Sequence, residues 1–502
     1  MSGMAVSGGG ATKTRRHGNV NVPCQTGRIR LHSPTAQEVS MAALSATVSR
    51  RLVLRAGAAI AAAAAAPRVA LAQNEPDVTA IILSDLHSPY KRLPQLVAAV
   101  RNRAAEAGGK VIIVINGDMF ERGNVVALRS RVAPDLLALD KLSQIAPVFF
   151  NIGNHETAVL EDMAIFTREA TARGVHVMSN IIDARTGELL APAALSIGVR
   201  DKRVALAGLA TDNIFTYRTP IRPTLTIPQP VAWAESLMGG LTREADAAIV
   251  LSHAGVAADK AMLASLPERT LLIGGHDHLD FTHAEPGLAY VHPGSWGNGF
   301  TIASMTFNAQ GGADTTLESV AVAADDDPDS DIGNAVVTAM NEHLTDEDRA
   351  IVGSVSETLD LPNAILFATE AVRAATGADI AFLGHTTFGT GLEAGEISRY
   401  DFNAYVRFDG DLRTVNIGGE RLAAIMERAN QHTATALDQR TGDFVHAAEL
   451  DIDPAATYTV AVNGWTAINQ TAYLGTDDLE FAEVPDLRLK QVVADALAAN
   501  GG

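Results

Sequence analysis

From residue 78 to about 310, short apolar runs alternate with stretches of helical period. The runs 79–84, 111–116, 148–152, 204–209, 247–251 and 270–273 are rich in Val and Ile and too short for helices. Their apolar character on both faces predicts strands buried from both sides. Between them, 93–107, 132–143 and 160–173 repeat apolar residues at helical spacing. Strand–helix alternation predicts a layered βαβ sandwich of the α/β class, with polar residues gathered in the loops that follow the strands. The acidic, Pro-broken stretch 324–329 predicts a boundary, giving a first domain over 73–325 and a linker over 326–350. Beyond it, 362–376 and 419–434 read as helices and 379–383 and 457–462 as strands, a smaller α+β domain over 351–502.

Composition changes this picture in two places. The chain has 502 residues with 39 Lys plus Arg against 58 Asp plus Glu, a net charge of −19. That argues against a protein that coats nucleic acid through basic surface, and leaves room for a local basic pocket. The charge is uneven, because residues 1–72 hold nine basic side chains and the single acid Glu38. Ser49-Arg50-Arg51-Leu52-Val53-Leu54, the Ala-rich run 56–66 and Ala70-Leu71-Ala72 read as a twin-arginine signal cleaved after Ala72. Pro67 and Arg68 end the apolar run far short of the ~20 residues of a spanning helix, so no stable membrane anchor is expected. The twin-arginine export machinery is thus an expected partner and the periplasm the expected location. Residues 1–40 carry no periodic pattern, and Met41, at a usual signal-peptide distance from the arginines, is a candidate start. The only cysteine, Cys24, precedes the cleavage point, so any metal in the mature chain rests on His, Asp, Asn or Glu.

Such residues cluster just past the predicted strands. Asp85-Leu86-His87 follows the first strand, Gly117-Asp118 the second and Gly153-Asn154-His155-Glu156 the third. Ser252-His253 follows 247–251, and Gly274-Gly275-His276-Asp277-His278 follows 270–273. Each cluster offers oxygen or imidazole donors at the carboxyl end of a strand, where open α/β sheets build their sites. Two divalent ions about 3.5–4 Å apart need such a converging set with one bridging carboxylate. A mixed imidazole, carboxylate and amide set suits Zn, Mn or Fe rather than Mg or Ca.

Asp-x-His, Gly-Asp, Gly-Asn-His-Glu, a His after a strand and Gly-His-x-His together resemble the calcineurin-like metallophosphoesterase superfamily. Tyr290-Val291-His292-Pro293-Gly294-Ser295 resembles its closing turn. The second domain adds a looser resemblance to the 5′-nucleotidase family, whose C-terminal domain binds substrate. The resemblance implies one metal ion among Asp85, His87, Asp118 and His278, and another among Asp118, Asn154, His253 and His276, bridged by Asp118. It implies that a hydroxide between the ions attacks phosphorus and that His155 stabilises the transition state and protonates the leaving group. The substrate it implies is a small phosphate ester of nucleotide type.

The chain also departs from the family pattern. Thr157 and Ala158 stand where the family's Gly-Asn-His-Glu-Phe-Asp places the Asp that orients the histidine, leaving Glu156, Glu161 and Asp162 as candidates. The family's phosphate-gripping Asn-x-Gly-Gly-Ile-Arg is replaced by Gly384-His385-Thr386-Thr387-Phe388-Gly389-Thr390-Gly391. Arg399, Arg407 and Arg413 are candidate replacements for that arginine, and Phe388, Trp465 and Tyr473 are candidates for stacking on a base. His385 belongs to the substituted loop, and His283 and His292 read as structural. The loop Phe388-Gly389-Thr390-Gly391-Leu392 also resembles the thiosulfohydrolase branch of sulfur oxidation, and a non-catalytic binding protein with a structural metal is a third reading.

Overall fold

The chain was analysed as a computed structural model, which describes residues 75–241, 245–308, 312–432 and 435–500. The twin-arginine segment and the Ala72 position lie outside them. Among the described residues, no helix is long and apolar enough to cross a membrane.

Two six-stranded sheets form the first domain. One runs Ala313–Ala321, Gly299–Phe307, Val78–Leu83, Lys110–Asn116, Val148–Asn151 and His176–Met178. Its last four strands are parallel, and the two that precede them are antiparallel. The other runs Asp280–Glu285, Leu288–Pro293, Thr270–Gly274, Ala247–His253, Lys202–Ala210 and Ala194–Val199, parallel except at its two edges. Val78, Ala80, Ile82, Ile112 and Val114 of the first sheet meet Leu206, Ile249, Leu251, Leu271 and Ile273 of the second in one core. The alternate residues Ile81, Leu83, Ile113 and Ile115 face the helices on the outside. Both faces are therefore buried, which is why these strands read as unbroken apolar runs, each fully buried Val or Ile contributing roughly 1.5–3 kcal/mol. Pairing of Leu83 with Ile115, Asn116 with Asn151 and Ser252 with Gly274 brings the strand ends flush. The loops beyond them open at one rim.

The helices differ from the sequence reading in detail. The helix expected over 132–143 runs Ala133–Ile145 with Pro134 in its first turn, and Val132, at a left-handed φ of 56°, separates it from a short helix Val125–Ser130 that the sequence reading lacked. The helix expected over 419–434 ends at Met426, and Asn430 turns left-handed at φ 55°. The stretch read as a linker, 326–350, carries the helix Ser330–His343, capped by Asp329. Its Ile332, Val336 and Ala339 join the first domain's core. An acidic side chain that suggested a solvated tether is the helix N-cap.

The second half builds a five-stranded sheet in the order Val445–His446, Ile380–Gly384, Thr457–Asn463, Asp411–Gly418 and Ala482–Arg488. The helices Leu361–Thr376 and Leu489–Asn500 cover one face around Ala381, Leu383 and Phe388. Both halves fall within one compact unit, Gln73–Gly502. Between them Trp296 lies against Gly389, where any Cβ would collide with the Trp296 ring and the Ala404 carbonyl. Lys91 pairs with Asp401 at 2.6 Å, and Tyr400 donates to Asn124 at 3.3 Å. A cavity of about 530 Å³ on this seam is lined by Ser88, Lys91, Arg92, Trp296, Asp360 and Tyr400. None of the expected metal donors borders it.

Candidate metal centre

At the rim, local backbone shape presents the donors. Asp85, His87, Asp118, His276 and His278 all have left-handed φ, at 50°, 53°, 55°, 80° and 57°. Each costs of order 1–3 kcal/mol and persists where neighbours over-determine it. The backbone N–H of Asp85 donates to Gly117 O, and that of His87 to Asp118 O, each at 3.0 Å. Trp296, just past the closing turn, donates its N–H to Asp85 O at 2.9 Å. The loops after the first two strands and that turn are thereby tied into one frame.

The side chains converge on this frame. Donor atoms of Asp85, His87 and His278 lie within 4.8 Å of one another, as do those of Asp118, His253 and His276, and those of His87, Asp118 and His155. The Nε2 atoms of His87 and His278 face each other at 2.9 Å. Nε2 of His253 stands 3.2 Å from Asp118 Oδ2 and 3.8 Å from Asp85 Oδ1. Its Nδ1 donates to the Asn116 carbonyl at 2.6 Å, which fixes the tautomer and leaves Nε2 directed at the carboxylates. Asn154 Oδ1 accepts from His276 Nδ1 at 3.0 Å, and its amide donates to Thr216 O at 3.3 Å. Asp118 Oδ1 accepts the backbone N–H of His155 at 2.7 Å, placing that imidazole at the edge of the cluster. All seven expected ligands thus meet at one place.

The chemistry of this set fits divalent ions. Burial pushes His87 and His278 well below the usual imidazole range and lowers His276 to about 3. Burial, with Asp118 nearby, pushes Asp85 up to about 7. His253 is opposed by burial, but Asp118 and then Asp85 raise it to about 10. Buried Nε2 of His253 and Nδ1 of His278 have no hydrogen-bond partner within the protein. Three imidazoles pushed toward the neutral form, and two buried carboxylates that hold His253 in its charged form, make a donor set whose buried negative charge a divalent cation would balance in place of that proton.

The second domain contributes Arg407, 8% exposed. Its Nε and Nη2 donate to Glu121 Oε2 at 3.0 and 2.7 Å, and Nη1 donates to Thr386 O at 3.2 Å. Nη2 also lies 3.4 Å from His87 Nδ1. The other candidates fall elsewhere. Arg399 is exposed at the start of a helix, and Arg413 pairs with Asp411 at 2.6 Å. Phe388 is 0% exposed in the second core, so its ring is spent on packing and is not a stacking surface. Tyr473 is buried too, its hydroxyl 3.3 Å from both Thr386 Oγ1 and Trp465 Nε1. Trp465, at 44% exposure, is the accessible one of the three. His385 stacks on Phe444 at 4.6 Å and shares a hydrogen bond with His446 at 3.0 Å, at the domain seam beside the backbone of His278. His292 contacts Tyr290 Oη at 2.8 Å and stacks on Phe281, and half-buried His283 pairs with Glu285.

None of the three carboxylates expected to orient His155 does so. Both oxygens of Glu156 accept loop N–H groups, from Met119 at 2.9 Å and Gly153 at 2.7 Å. Asp162 caps a helix at Ala164 and pairs with Arg185, and Glu161 is exposed. Sequence reasoning missed Glu121 and Trp296. Glu121 lies in the loop of Asp118, three residues on, where an acid after the apolar pair Met119-Phe120 was the available signal. Trp296 stacks on His87 with centroids 5.3 Å apart, and no motif announced it.

The sequence matches the model for the calcineurin-like phosphoesterase over residues 78–280 and that for the 5′-nucleotidase C-terminal domain over 311–475. No curated protein matches the chain. Among solved structures, a 5′-nucleotidase precursor from Thermus thermophilus is 17% identical, with a TM-score of 0.56 over 84% of this chain and 96% of its own. The sulfate thiohydrolase SoxB of Thermus thermophilus, solved with glycerol, is 16% identical, with a TM-score of 0.60 over 85% and 94%. A 5′-nucleotidase from Candida albicans is 12% identical, with a TM-score of 0.54 over 85% and 98%. At these identities the structures speak for the fold, while the two domain matches speak for the family. The chain belongs to the calcineurin-like metallophosphoesterases of the 5′-nucleotidase family, which are hydrolases.

Proposed function

We propose that this protein is an exported two-metal phosphoesterase acting on a nucleotide or related small phosphate ester. The observation that carries the reading is the convergence of Asp85, His87, Asp118, Asn154, His253, His276 and His278 at one rim. In this reading Asp85, His87, Asp118 and His278 hold one ion, and Asp118, Asn154, His253 and His276 the other. Bound there, two divalent cations (Zn, Mn or Fe) supply Lewis-acid stabilisation of phosphoryl charge and a water of lowered pKa.

The chain's own residues do the rest. Asn116 O fixes the His253 ring, and the Asp118 carboxylate anchors the His155 loop. His155 Nδ1 faces Glu121, so in the doubly protonated ring Nδ1–H points at that carboxylate while Nε2–H gives its proton to the leaving oxygen. Arg407 places a fixed positive charge beside His87 from the second domain. Trp465 is the surface left for a base or another flat leaving group. Export rests on residues 49–72, and a reporter fused behind them should reach the periplasm only when Arg50 and Arg51 are intact.

The deciding experiment assays metal-loaded protein against AMP, a nucleotide sugar, a cyclic nucleotide, an aryl phosphate and a protein-bound thiosulfonate. Hydrolysis of a phosphate ester that stops on chelation is the expected result. Turnover of the thiosulfonate alone would transfer the site to the thiosulfohydrolase reading, which needs no stacking surface and so accords with the burial of Phe388 and Tyr473. Full metal occupancy with no turnover of any member points to a binding protein and ends the hydrolase proposal.

A further inference from the structure

We infer that Glu121 is the residue that positions the His155 ring, in the role that Thr157 and Ala158 leave open. This inference rests on the proposed part of His155 in proton transfer.

Glu121 is 3% exposed and held from two sides. Its Oε1 accepts the Gly123 N–H at 2.7 Å, within its own loop. Its Oε2 accepts two hydrogen bonds from Arg407, which comes from the other domain. A carboxylate this constrained is a fixed acceptor.

His155 supplies the other half. Its Nδ1 is buried, has no hydrogen-bond partner, and stands 3.9 Å from Glu121 Oε2. Closing that gap to an ordinary hydrogen bond needs roughly 1 Å of side-chain movement. A buried imidazole N–H left without an acceptor carries a desolvation cost, so closure is the favoured direction. Catalytic hydrogen bonds of this kind are commonly long until substrate is bound. The competing carboxylates are occupied: Glu156 by Met119 and Gly153, Asp162 by Ala164 and Arg185. With Nδ1–H committed to Glu121, Nε2 is the nitrogen left for the substrate. The same Oε2 lies 3.5 Å from His87 Nδ1, so a change at Glu121 also reaches the ligand set, and its test is run at saturating Mn²⁺.

The test compares an alkyl phosphate, whose leaving oxygen needs a proton, with a nitrophenyl phosphate, whose leaving oxygen does not. Glu121→Gln should lower kcat on the alkyl ester by roughly 10–100-fold and on the nitrophenyl ester by less than about threefold, with little change in KM. His155→Ala should show the same leaving-group pattern, and in that background Glu121→Gln should add less than about threefold. Equal losses on both esters, or losses that add to those of His155→Ala, overturn the assignment. A second readout needs no turnover: ¹⁵N NMR of the wild-type protein should show His155 protonated at Nδ1. A neutral ring protonated at Nε2 alone overturns it even if Glu121→Gln fails to fold. Should the wild type hydrolyse no phosphate ester, the functional proposal falls, and the tautomer still decides the place of Glu121.

Discussion

The two walls of the site are built on different plans. The first domain supplies seven donors from five loops, each loop at the end of a strand buried on both faces, with backbone hydrogen bonds crossing from loop to loop. The second domain supplies one side chain, Arg407, which follows the helix Arg399–Tyr405 and is anchored on the opposite wall through Glu121. One wall owes its geometry to its own sheets, whereas the other borrows its geometry from the first. The chemistry of the centre therefore depends on local frames, and the way substrate meets it depends on how the two domains are docked.

That contrast can be broken in three ways. Asp118→Asn strikes the self-supporting wall at the carboxylate common to both donor sets. It should empty the site of metal and lower kcat/KM by about 10³-fold or more, the scale of several kcal/mol of lost charge stabilisation, measured by metal analysis and steady-state kinetics. Full activity in this variant would remove Asp118 from the centre. Arg407→Ala strikes the borrowed wall and leaves Glu121 buried without its partner. A loss of about 3–5 kcal/mol in urea unfolding is expected, with Mn²⁺ content retained. Loss of metal equal to that of Asp118→Asn would show that the two walls are not separable. Gly389→Ala introduces a Cβ against Trp296 and should cost about 1–3 kcal/mol by opening the seam. An unchanged melting temperature would mean that the seam yields more easily than its packing suggests.

The same contrast explains what the sequence made legible. The convergence of Asp85, His87, Asp118, Asn154, His253, His276 and His278 at one rim was legible because each follows a strand whose apolar run is unmistakable. A side chain beside a strand end has little freedom in where it points. Arg407 stood among several arginines, because nothing near it in the sequence tells a buried interdomain partner from a solvated one. Phe388 and Trp465 show the limit more sharply: one is wholly buried and the other 44% exposed, and composition does not distinguish them. The acidic run at 325–329 misled for a related reason, since a helix N-cap and a solvated tether use the same residue types.

The left-handed turns at Asp85, His87, Asp118, His276 and His278 bear on which ions this protein can hold. Outside glycine, that backbone region is entered most readily by Asn, Asp and His. The main chain thus restricts the alphabet of donors before any side chain meets an ion. A Glu or Cys placed at those positions bears the conformational cost on top of any change in affinity. Exchange of this centre for a thiolate site would require rebuilt loops as well as new side chains.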